Sequence, residues 1–124
     1  NESSKIMIIN KCLDIENFIK VIEEWGELTK NWNTADPKIL NKLHDKYHKM
    51  FKKLRQENRL SELEPYINHQ NKTVSNVVAT YYLIQDENTA IKKLEELSNE
   101  PGLIGSGSKS NLEQWRKGEL HFNY

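Results

Sequence analysis

Two histidines four residues apart form the sharpest chemical pattern in this sequence. His44-Asp45-Lys46-Tyr47-His48 sets both imidazoles on one face of a helix and resembles the H-E-x-x-H spacing of zinc hydrolases, with Asp in place of the glutamate base. Zinc chemistry needs a third ligand and a site free of cations, whereas Lys42, Lys46, Lys49 and Lys52 surround this pair. Asp45 is also one methylene short of the metalloprotease base. The bland expectation is a pair of half-buried side chains, His44 within an apolar stripe and His48 at its edge. Nucleophilic catalysis has no better support: Cys12 has no histidine beside it, and no serine sits in G-x-S-x-G. Gly102, Gly105 and Gly107 lack both the Lys-Ser/Thr of a phosphate loop and a preceding strand. No catalytic residue, metal or cofactor is expected, and the chain reads as a non-enzyme.

Composition sets the outer bounds. The chain has 124 residues, the size of one domain, and is read as a single helical domain over residues 1–124. Residues 1–6 are expected to lie outside the packed fold, with Asn1-Glu2-Ser3-Ser4 as a processing remnant. Lys plus Arg and Asp plus Glu each number 18, so no global field draws the chain to nucleic acid or an anionic membrane. A single cysteine gives neither an internal disulfide nor a metal cluster, which suits a reducing cytoplasm. No apolar run approaches the roughly 20 residues that span a bilayer.

Periodicity predicts the elements that carry these residues. From Asp14, a candidate N-cap, to residue 32, Ile15, Phe18, Ile19, Ile22, Trp25, Leu28 and Trp32 follow helical spacing. Asp36 then caps a second helix with Pro37 at its first position, running to about Asn58 with Leu40, Leu43, Tyr47, Phe51 and Leu54 inward. Ser61 and Glu64 have capping-box spacing, but Pro65 limits that helix to a short one ending near Ile67. Further helices are predicted over residues 72–84, with Val74, Val77, Val78, Tyr81 and Ile84 on one face, and over residues 89–98, buried through Ala90, Ile91, Leu94 and Leu97. The first of these has enough β-branched residues to permit a strand, but its period favours helix. Residues 100–108 read as a loop, followed by a short helix over residues 111–117 that packs Leu112 and Trp115 and stops at Gly118. The fold class expected is all-α: about six helices in antiparallel pairs, as a HEAT-like repeat or small bundle.

Two surface signals remain. Residues 38–59 hold eight basic and two acidic residues, and Lys46, Lys49, Lys53 and Arg55 could follow a phosphate backbone. Complementarity with acidic residues elsewhere in the chain, or a solvated face, is the preferred use of that charge, with nucleic-acid binding as the alternative function. Of the large aromatic residues, most of which should be core, Trp32 and Tyr82 are the expected surface anchors for a protein partner.

A family resemblance rests on the second half. Asn68-His69-Gln70-Asn71-Lys72-Thr73-Val74, a helix with Ala79-Thr80, a second with Ala90 and Leu94, then Pro101-Gly102-Leu103 and Leu112-x-x-Trp115-Arg116-Lys117-Gly118 resemble small bacterial HEAT-related α-helical proteins. Many of those are immunity proteins of polymorphic toxin and contact-dependent growth inhibition systems. The sequence departs from that pattern at Gln70, where proline is expected, and at Ser75, where a basic residue is. The resemblance implies a cytoplasmic protein that binds a cognate toxin 1:1, with a nuclease as the toxin class, and blocks its active site or substrate surface. Glu23, Glu24, Glu27, Asp86 and Glu87 would then meet a basic toxin cleft.

Overall fold

The computed structural model departs from the expected element boundaries most at residues 2–13, which belong to the first long helix, and at residues 100–108, most of which begin the last. The structure describes the backbone of residues 2–30 and 33–122, and the side chains of residues 14–30 and 33–122. Among them are α1 (Glu2–Thr29), α2 (Pro37–Gln56), a 3-10 helix (Leu60–Tyr66), α3 (Lys72–Tyr82), α4 (Glu87–Leu97) and α5 (Gly102–Arg116). The fold is all-α, with no strand among the described residues. The chain divides into two compact units, Asn1–Glu62 and Leu63–Tyr124.

In the first unit α1 packs on α2. Helix α1 begins at Glu2 and not at Asp14, because residues 2–25 contain neither glycine nor proline to interrupt it. Asp14 is therefore a mid-helix residue, and residues 2–6, expected outside the fold, are helical. Ile15, Phe18, Ile19, Val21 and Ile22 are buried, which bears out the apolar stripe; Leu28 is exposed. Helix α2 opens as predicted: Asp36 accepts a hydrogen bond from the Lys38 amide at 2.9 Å, and Pro37 follows it. Leu40, Tyr47, Phe51 and Leu54 are buried, while Leu43 is only half-buried. The end of α2 is a Schellman turn. Asn58 adopts φ 58°, its amide donates to the Arg55 carbonyl at 3.1 Å, and the Arg59 amide reaches the Leu54 carbonyl at 2.8 Å.

That turn delivers Arg59 into a buried position, 6% exposed. Its Nε donates to Glu62 Oε2 at 2.9 Å and its Nη1 to Glu57 Oε1 at 3.0 Å, with Asp14 Oδ2 at 3.7 Å. The hydrogen bond to Glu62 raises the guanidinium pKa against burial, which lowers it, and Glu57 adds to the rise.

In the second unit α3, α4 and α5 pack on one another. Asn71 caps α3, its Oδ1 accepting from the amides of Thr73 at 3.0 Å and Val74 at 3.3 Å. Val74, Val77, Val78 and Tyr81 are buried as expected, but Leu83 takes the buried place given to Ile84. Ser75 is 1% exposed and donates to the Ile67 carbonyl, so a basic side chain would have no access to water there. In α4, Ala90, Leu94 and Leu97 are buried and Ile91 half-buried.

The predicted loop over residues 100–108 is instead the first half of α5. Its inward face is built from small residues, Gly105 and Ser108, two turns and one turn before Leu112. A Cβ on Gly105 would overlap the Glu100 carbonyl oxygen, so this helix end fits only without a side chain. Asn76 Nδ2 donates to Ser108 Oγ at 2.6 Å and Asn111 Nδ2 to Thr80 Oγ1 at 3.0 Å, sealing α3 to α5 with polar bonds. Helix α5 ends in a second Schellman turn at Gly118, φ 72°, with the Glu119 amide on the Gln114 carbonyl at 2.8 Å.

Candidate interaction surfaces

The histidine pair is built into an aromatic row. The His44 and His48 rings stack with centroids 6.1 Å apart and planes within 4°, inside a row that runs from Trp25 through Tyr47 to Phe51. His48 is 5% exposed, fully in the core and not at its edge, because it faces Phe51. Among the described residues no three His, Cys, Asp or Glu side chains stand close enough to share a metal ion. The geometry is that of aromatic packing.

The expected partner-binding residues are scattered. Glu23, Glu24 and Glu27 share about one turn of α1, Glu23 half-buried and the other two exposed. Glu27 is bonded to Lys30 at 2.9 Å. Asp86 and Glu87 lie on the other unit. Asp86 caps α4, accepting from the Thr89 hydroxyl at 2.8 Å and its amide at 3.2 Å, and these bonds hold its carboxyl below the ordinary value. Glu87 accepts from Trp115 Nε1 at 3.2 Å. Tyr82, expected as a surface anchor, is 4% exposed, and its hydroxyl donates to Glu64 at 3.5 Å. It is a core residue, since Leu83 and Tyr82 both turn inward at the end of α3. Trp32 lies outside the described residues.

Two surfaces stand in the first unit. One is an apolar cleft of about 410 Å³ lined by Trp25, Ala35, Pro37, Leu40, Asn41 and His44. Leu28, one turn beyond Trp25, and Ile39, beside Leu40, are two of the exposed large hydrophobic residues. The cleft escaped the sequence reading because Trp25 and Leu40 were both assigned to the core.

The other is the outer face of α2. At 100° per residue, Lys38, Lys42, Lys46, Lys49 and Lys53 fall within an arc of about 80°, on the side opposite Leu40, Tyr47, Phe51 and Leu54. All five are exposed, and among the described residues none has an ion-pair partner. Of the two expected uses of this charge, these five lysines show the solvated face, while Arg59 makes the pairing with acidic residues, through Asp14 and Glu62. Arg55 projects about 100° away from Lys38, off this stripe. A count of lysines at i, i+4 and i+8 would have located it.

No helix among the described residues is long and apolar enough to cross a membrane. The chain matches no family model, no curated protein and no solved structure, so its resemblance to helical immunity proteins rests on the residues quoted for it.

Proposed function

We propose that this chain is a cytoplasmic immunity protein that acts by binding, without turnover, and neutralises a cognate toxin domain of the nuclease class in a 1:1 complex. The observation that supports a protein partner is the cleft at Trp25. Its walls are apolar and aromatic, Leu28 and Ile39 are exposed beside its lining residues, and polar rim groups are supplied by Asn41 and His44. Protein interfaces concentrate their energy in such pockets, with a large aromatic at the centre and polar groups at the edge. The exposed pair Glu24 and Glu27 lies within one turn of Trp25 and supplies acidic character on α1 for a basic toxin surface.

The test uses the product of the adjacent upstream gene as partner, produced with and without this chain. Tight 1:1 binding with restored growth supports the reading. Leu28→Glu and Ile39→Glu, both at exposed positions, should weaken the complex at least tenfold without unfolding the protein. A partner that stays toxic, or a complex indifferent to both variants, would overturn the assignment of this cleft.

A further inference from the structure

We propose that the lysine face of α2 binds the phosphate backbone of nucleic acid without reading its sequence. The argument is independent of the cleft, whose α2 residues Pro37, Leu40, Asn41 and His44 centre about 150° around the helix from the lysines.

The first support is a local rule that α2 breaks. Lys38/Lys42, Lys42/Lys46 and Lys49/Lys53 are like charges at i, i+4, and each pair disfavours the helix. Lys30, Lys72, Lys93 and Arg116 pair with Glu27, Glu100, Glu96 and Glu95. Exposed lysines elsewhere without an ion pair among the described residues, such as Lys20, Lys92, Lys109 and Lys117, lack the i, i+4 lysine repeat of α2. Asp45 borders the lysine arc, one turn from both Lys42 and Lys49. A surface that accumulates like charges with a single acidic neighbour on its own helix face is where an external counter-charge is expected.

The second support is the shape of the array. Lys38 to Lys53 spans about 22 Å along a straight helix, the length of about six phosphates of one duplex strand. Lysines act there as point charges on phosphate, and no aromatic or bidentate group on the arc could read bases. Protein interfaces are depleted in lysine, which argues against an acidic protein as occupant. A membrane-surface helix needs a free apolar face, whereas the apolar face of α2 is buried in its own core.

Fluorescence anisotropy of a labelled duplex of about 20 base pairs, and of one strand alone, against the full chain tests this across a salt series. Expected is binding in the micromolar range near 0.1 M salt, with a log–log salt slope near −4.5 for five phosphate contacts. K42E/K46E/K49E should weaken binding at least tenfold with helix content unchanged by circular dichroism. K42Q/K46Q/K49Q should flatten the slope by about 2.7. The control K109E/K117E, on α5 and its cap, should change binding less than twofold. The proposal is overturned by no binding at 50 mM salt, by equal losses in control and triple variants, or by tighter binding to labelled polyglutamate or anionic phosphatidylserine vesicles than to the duplex.

Discussion

Arg59 shows how a single charge can be buried at modest cost. Its fork is taken up by Glu57 and Glu62 while both carboxylates keep contact with water, so the ion group is desolvated on one side only. Arg59→Ala should cost about 1.5–3 kcal/mol in urea unfolding, the worth of hydrogen bonds to a charged group. Arg59→Lys should recover part of this, since an ammonium keeps the charge but not the fork. A loss under about 0.5 kcal/mol for alanine would refute the role given to these bonds. Tyr82 carries the pH prediction at this scale. Burial first, then the charges of Glu64 and Asp86, raise its phenol above the usual value of about 10. A raised pKa means that the folded state holds the proton more tightly, so the contribution is complete below pH 10 or so and is lost as pH rises through the folded pKa. The melting temperature should therefore fall on the alkaline side, and Tyr82→Phe should blunt that fall while costing little at neutral pH.

At the scale of elements, α5 separates two glycines that look alike in the sequence. Gly105 lies against the Glu100 carbonyl, whereas a Cβ on Gly107 would meet nothing within 4 Å. Gly105→Ala should destabilise by about 1–3 kcal/mol or more, as overpacking against backbone does. Gly107→Ala should stabilise by about 0.5–1 kcal/mol, because alanine loses less backbone entropy in a helix. Opposite signs in parallel thermal melts are the expected result, and equal effects would contradict the close approach at Gly105. The same helix explains why residues 100–108 read as a loop. Its buried stripe continues from Leu112 back through Ser108 and Gly105, at helical spacing but without apolar bulk, so hydrophobic periodicity is blind to it. Helix α1 extends beyond its expected start for a different reason: Asp14 has the residue type of a cap, yet a cap works only where the preceding backbone leaves the helix.

For the whole molecule, neutrality conceals a strong asymmetry: residues 38–59 carry an excess of +6, so the rest of the chain carries −6. Net charge alone therefore says nothing about a local basic surface. The C-terminal tail is the second feature visible only in three dimensions. Phe122 is 6% exposed and packs edge-on against Tyr81 at 5.3 Å, 41 positions earlier in the chain. Phe122→Ala should cost about 3 kcal/mol in urea unfolding, and a loss below about 1 kcal/mol would show that the tail is dispensable. The all-α class, the cap at Asp36, the glycine stop at Gly118 and most of the inward residues followed from the sequence, because capping and amphipathic spacing are local properties of consecutive residues. Tyr82 in the core, the Trp25 cleft, the cage around Arg59 and the isolation of the α2 lysines were decided by tertiary structure. Each depends on which distant groups arrive beside a side chain, and helical periodicity specifies only the side on which that chain stands.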